Sequence, residues 1–209
     1  MKTQEIFRKS IERSHSYTEY RTLLKELLSQ GKSSGAEQSE GLLHYSQLND
    51  TRMNRLDKTI NIPVENLEKL KQIADEQIWL VITEGWCGDA AQILPVINKM
   101  AKQNTKIDLR VVFRDENDDL MQMFLTNGTR SIPKLIVLNK ETLEIITDFG
   151  PRPKGAKKLI QEYKEQYGIV DETAKTELQL WYLHDKGLST QKEILEAIET
   201  KALFQKPLA

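Results

Sequence analysis

The sequence predicts an α/β fold, a mixed sheet with helices on both faces, and three observations predict it. Short apolar runs of strand length alternate with amphipathic helical stretches from about residue 60 onward. Two of those runs, residues 135–138 and 143–147, are joined by so short a connection that they must form an antiparallel hairpin. The resulting order is βαβαββα, in which parallel strands linked by helices are closed by that hairpin.

Taken in order, Tyr17, Tyr20, Leu23, Leu24, Leu27 and Leu28 recur at helical spacing before Gly31, predicting a helix over 17–30 that extends upstream from about Thr3. The Gly/Ser content of residues 31–36 predicts a loop or hinge, followed by a polar stretch to about residue 50. Residues 52–58 carry a short basic run without interleaved aromatics, which reads as a solvated helix face rather than a nucleic-acid patch. Pro63 suits the first turn of a helix that turns Val64, Leu67, Leu70 and Ile73 to one side. Residues 78–82 are continuously apolar, as expected of a strand covered on both faces.

The next helix spans about 89–103 with Ile93, Leu94, Ile97 and Met100 as its stripe, and Pro95 inside it predicts a kink. A strand at 107–113 leads to a helix at 117–126, closed by Asn127-Gly128. After the hairpin, helices are expected at about 154–167 and 172–185, and a last one from Ser189 as N-cap through Ile194, Leu195 and Ile198. Leu178, Trp181 and Tyr182 share helical spacing and read as core. The chain thus divides into an N-terminal helical extension and linker (1–59), a central α/β domain (60–168) and a C-terminal helical tail packing on it (169–209).

Composition narrows the function. A chain of 209 residues with a net charge of -1 lacks the basic excess of a general nucleic-acid binder, and no apolar run approaches membrane-spanning length. The first residues show no signal-peptide pattern, so a cytoplasmic location is the expectation. The single cysteine, Cys87, cannot form an intramolecular disulfide. His15, His44 and His184 lack metal-ligand spacing, so neither a metal site nor a cofactor is expected.

Cys87 lies in Glu84-Gly85-Trp86-Cys87-Gly88-Asp89-Ala90, between the end of a central strand and the start of a helix. Sites in open α/β sheets favour the carboxyl ends of strands, and unpaired N–H groups at a helix N-terminus favour thiolate over thiol. A lowered Cys87 pKa and a nucleophilic sulfur are therefore expected; the bland alternative is a buried small hydrophobe.

Trp86-Cys87-Gly88-Asp89-Ala90 resembles the Trp-Cys-Gly-Pro-Cys motif of thioredoxins, and Ser131-Ile132-Pro133-Lys134 resembles that family's cis-proline loop. With the element order, the resemblance covers about residues 60–168. It implies a thioredoxin-like fold with added N- and C-terminal helices, Cys87 as the attacking sulfur and Trp86 beside it on the docking surface. It also implies that Pro133 faces the sulfur and that the Ile132 backbone pairs with an extended substrate. Trp86, Gly88, Asp89, Ile132 and Pro133 are the substrate-binding candidates.

Two departures matter. Ala90 stands where thioredoxins carry the resolving cysteine, and Val81 where they carry a buried acid. Glu84 or Asp89 is a candidate for proton transfer in place of that acid, although Asp89 also reads as an ordinary carboxylate in the first turn of the helix. The expected function is a monothiol thiol-disulfide oxidoreductase that forms mixed disulfides with protein or low-molecular-weight thiols, released by an external thiol. The alternative is a non-catalytic peptide-binding or protein-binding module. A protein of the monothiol glutaredoxin kind fits less well, because no basic residue stands a few positions before Cys87. Arg114 reads as a surface ion-pair partner and Arg152, between two prolines, as a candidate anion contact.

Overall fold

The computed structural model describes residues 2–205. The chain begins with three helices, α1 (Lys2–Glu12), α2 (Tyr17–Ser29) and α3 (Glu40–Thr59). The expected single helix is therefore broken upstream of residue 17. Ser16 breaks it with a capping box: its Oγ accepts from the Glu19 N–H at 3.2 Å, and the Glu19 carboxylate accepts from the Ser16 N–H at 2.7 Å. The polar stretch to about residue 50, for which the sequence predicts no element, is helical from Glu40, where α3 begins. Ser39 caps it, accepting from the Leu42 N–H at 3.2 Å.

α4 (Val64–Gln72) buries Leu70 fully but leaves Val64 71% exposed, so only part of the expected stripe faces inward. β1 (Gln77–Thr83), α5 (Gly88–Ala101) and β2 (Ile107–Phe113) follow as predicted, and α5 continues through Pro95. A 3-10 turn at Arg114–Glu116 leads into α6 (Asp118–Met123), shorter than expected. Thr126 and Thr129 pair across a tight turn, with Asn127 and Gly128 both at positive φ. The hairpin is β3 (Lys134–Asn139) and β4 (Ile145–Phe149); Leu143 belongs to its turn rather than to a strand. α7 (Lys154–Tyr167), α8 (Glu172–Asp185) and α9 (Leu188–Gln205) complete the chain. Ser189 is not the N-cap of α9; its N–H instead donates to the Asp185 carboxylate at 3.2 Å.

The sheet runs in the order β2-β1-β3-β4, with β1 parallel to β2 and antiparallel to β3, and β3 antiparallel to β4. Alternation along the strands divides the core in two. Trp79, Val81, Leu135 and Val137 join a larger cluster with residues of α2, α3, α5 and α9. Ile78, Leu80, Ile82, Ile136 and Leu138 face the other way, toward Phe7 of α1 and Leu120 and Met121 of α6. With both faces covered, β1 is buried at every position, which explains its unbroken apolar run. The indole N–H of Trp79 donates to Gln77 Oε1 at 2.9 Å, so even this fully buried ring is satisfied.

Tyr182, Ile194, Leu195 and Ile198 of the tail enter the larger cluster beside Tyr20, Leu24 and Met53 of the N-terminal helices. Burying a side chain of this size contributes about 1.5–3 kcal/mol. Both flanking segments therefore hold the central sheet; the N-terminal one reaches the turn between β1 and α5 and the C-terminal one the first turns of α5.

Candidate functional site

β1 ends at Thr83 and α5 starts at Gly88, so residues 84–87 form the turn between them. The Cys87 N–H donates to the Glu84 carbonyl at 3.1 Å, and the Cys87 carbonyl accepts from the Ala91 N–H at 3.1 Å, the first bond of α5. Cys87 is thus the N-cap residue. Gly85 is pinned from outside: its carbonyl accepts from Asn49 Nδ2 at 2.9 Å and its N–H donates to Ser34 Oγ at 2.8 Å. A Cβ on Gly85 would lie 2.6 Å from Leu24 Cδ2, so any larger residue here would have to displace that buried leucine.

The Cys87 thiol donates to the Ile132 carbonyl at 3.3 Å, and the Ile132–Pro133 peptide is cis. Cys87, Ile132 and Pro133 therefore meet, although Cys87 and Ile132 are each only 7% exposed. Cys87 and Ala90 belong with Ile132 and Phe124 to the smaller cluster, while the other buried apolar residues of α5 serve the larger one.

The expected lowering of the thiol pKa is overturned. Burial, assisted by the negative charge of Asp89, pushes Cys87 up to about 12. The amides of Ala90 and Asp89 and the Arg152 guanidinium pull the other way and lose. Helix-terminus stabilisation of a thiolate is strong only where the sulfur also keeps some contact with water.

Asp89 sits in the first turn of α5, as expected, and its carboxylate is also engaged by side chains from later in the chain. Its Oδ2 accepts from Arg152 Nε at 2.8 Å and pairs with the second guanidinium nitrogen at 2.7 Å, and its Oδ1 accepts from the Tyr182 hydroxyl at 2.8 Å. Arg152 does meet an anion, and that anion is Asp89. The pair locks the loop before α7 and the middle of α8 onto the start of α5.

Glu84 faces elsewhere. Its Oε1 accepts from the Asp115 N–H at 3.0 Å, and its Oε2 accepts from the Ser34 hydroxyl. Burial pushes its carboxyl above the ordinary range against those two donors. With both oxygens committed, the carboxylate acts as a clasp between the Ser34 loop and the turn after β2. Arg114 lies over the Trp86 ring, 4.9 Å from its centroid, while its Nε donates to Asp115 Oδ1 at 2.8 Å.

On the side of α5 facing the terminal helices, a cleft of about 510 Å³ opens between α3 and α8. Trp86, Cys87, Gly88, Asp89 and Arg152 line its floor, and Arg52 and Lys175 its sides. A cavity of about 570 Å³ against β4, α7 and α9 contains none of residues 84–89 or 131–133. Sequence reasoning missed Arg52, Lys175, Tyr182 and Ser34 as neighbours of the site, since nothing local connects them to Cys87. The described residues hold no group of three or more His, Cys, Asp or Glu side chains placed for a metal ion. No described helix is long and apolar enough to cross a membrane.

The family model Thioredoxin_9, described as thioredoxin, matches residues 35–164, more than half of the chain. The chain belongs to the thioredoxin family. Among solved structures, a protein of unknown function from Pseudomonas aeruginosa is similar with a TM-score of 0.56 and 17% identity, over 89% of this chain and 98% of that one. An HIV epitope-scaffold is similar with the same TM-score of 0.56 and 20% identity, over 89% of this chain and 99% of its own. At these identities the likeness speaks for the fold alone. It reaches beyond residues 60–168 into the flanking helices of this thioredoxin-family chain. Among curated proteins, none matches the sequence.

Proposed function

We propose that this chain is a monothiol thiol-disulfide exchange protein working through Cys87. The observation that carries the reading is the sulfur's position at the N-terminus of α5, 3.3 Å from the Ile132 carbonyl beside Pro133 and on the wall of an open cleft. In the step proposed, the Cys87 thiolate attacks one sulfur of a disulfide. A Cys87 mixed disulfide forms, and the other half leaves as a thiolate that takes up the proton Cys87 lost. With Ala90 in the second position, an external thiolate attacks the mixed disulfide, regenerating Cys87 and carrying the substrate half away as a new disulfide. Electrons balance, since each step exchanges one S–S bond for another. A reducing, cytoplasmic compartment would supply the external thiols.

A thiol held near 12 is a slow nucleophile at neutral pH, and its proton rests against Ile132. That burial favours a second reading, a non-catalytic binding module that keeps a docking surface around Trp86, Ile132 and Pro133. Turnover of a model disulfide under supplied thiol separates the two, and the exchange reading expects that turnover to vanish in Cys87→Ser. It also expects wild-type protein to accumulate Cys87-dependent adducts in extract run without reductant. Absence of adducts and of turnover, with peptide binding intact in Cys87→Ser, would establish the module instead.

A further inference from the structure

The cleft beside Cys87 has an unbalanced charge. Arg152 is neutralised by Asp89 at 2.7 Å, and Lys175 by Glu172 at 2.6 Å. Arg52 donates only to the neutral Asn49 Oδ1, at 2.9 Å, and no carboxylate lies within ion-pair distance of it among the described residues. It is half-buried, and burial together with the charge of Arg55 depresses its pKa. Its guanidinium lies 3.8 Å from where a Gly88 Cβ would stand, directly over the positive end of α5. Leu42, Leu48 and Leu178 give the same cleft apolar walls. Its volume of about 510 Å³ falls within the roughly 300–1,000 Å³ usual for small-molecule sites.

We infer that this cleft binds a low-molecular-weight thiol bearing carboxylate, and that this is the external thiol which releases Cys87 mixed disulfides. The inference rests on the exchange reading. Arg52 receives the carboxylate, Leu48 and Leu178 cover the carbon skeleton, and the incoming sulfur approaches the mixed disulfide from the Gly88 side. Arg52 is a positioning residue, since it acts on the charged end of the thiol and not on the reacting sulfurs. A peptide substrate on the Ile132–Pro133 side would leave the cleft free for the second thiol.

The test loads Cys87 of the full chain with 2-mercaptoethanol as its mixed disulfide. Release is followed by mass spectrometry under reduced glutathione, which is anionic, and under 2-mercaptoethanol, which is neutral, at matched thiolate concentrations. The expected result is release about tenfold faster by glutathione. That advantage, read in each variant as the ratio of the two rates, should fall to near unity in Arg52→Met, return in part in Arg52→Lys, and shrink as salt is raised. Thermal unfolding of both variants checks that they fold. Release at equal rates by the two thiols, or an advantage that survives Arg52→Met, overturns the cleft inference and leaves the exchange reading standing. If neither thiol releases the adduct, both the cleft inference and the exchange reading are overturned.

Discussion

The two sides of the Cys87 turn hold buried carboxylates by opposite means. On the C-terminal side, Asp89 meets a full positive charge and a hydroxyl, Arg152 and Tyr182, both from segments that follow the hairpin. On the N-terminal side, Glu84 meets only neutral donors, the Ser34 hydroxyl and the Asp115 amide. Burial pushes Glu84 toward its protonated form, with the two neutral donors opposing that shift, whereas Asp89 is held in an ion pair. The C-terminal clamp therefore also sets the field at the sulfur, where Asp89 raises the thiol pKa and Arg152 opposes it. The Glu84 clasp mainly ties backbone segments together.

The largest effect should come from Asp89→Ala, which strands a guanidinium and a buried hydroxyl at once. Breaking a buried pair costs about 3–5 kcal/mol. Because the Arg152 side chain is 29% exposed and the Asp89 side chain 11%, the lower end, about 3 kcal/mol in urea unfolding, is expected. Glu84→Ala should cost less, about 2 kcal/mol, for two unpaired donors.

Glu84→Gln should cost under about 1 kcal/mol at neutral pH, because it keeps the shape and removes the buried charge. The sign of its pH effect follows from the raised folded pKa. Protonation of Glu84 favours the fold, so wild type loses that contribution as pH rises from the ordinary carboxylate range through the folded value. The Gln variant should show a flatter stability profile over that window in urea midpoints between about pH 4 and 8. A Gln variant as damaged as the Ala variant would mean that the two carboxylates are held alike.

Cys87 supplies a third measurement. Its folded pKa of about 12 exceeds the unfolded value of 9.0, so its contribution is complete below pH 9.0 and disappears as pH rises toward 12. Wild type should lose about 1.4 kcal/mol on going one pH unit above the unfolded value, a loss absent from Cys87→Ala when both are unfolded in urea at alkaline pH. The smallest expected change is kinetic. Asp89→Asn should speed Cys87 alkylation at pH 8 by about threefold or more, because the opposing charge is gone while Arg152 remains. An unchanged rate would separate the clamp from the sulfur.

Much of the central architecture is legible in local residues. The continuous apolar run around Trp79 and the short hairpin connection each fix an element without outside help, and the order of elements follows. The placement of Cys87 at the strand-to-helix turn is legible for the same reason. The start of α3 is not, because Ser39 follows a Gly/Ser-rich loop and the helix carries its polar face among scattered leucines. Thiol depth is also unreadable locally: the Ile132 carbonyl and the packing of the smaller cluster create it. Arg152 carries a visible signal in its two flanking prolines, but its partner lies 63 residues earlier in the chain. Arg52 carries none, since a basic residue on a polar helix reads as solvent-facing until the fold sets it over Gly88.

His15, in the link between α1 and α2, exchanges both backbone hydrogen bonds with Val111 at 2.8 Å, forming an isolated antiparallel bridge on the outer side of β2. One rung is enough to interrupt the row of free amides and carbonyls that an edge strand offers to other chains. The opening segment thus serves as a doorstop against strand-to-strand stacking. A version of the protein stripped of its first sixteen residues should self-associate in a concentration-dependent way through β2.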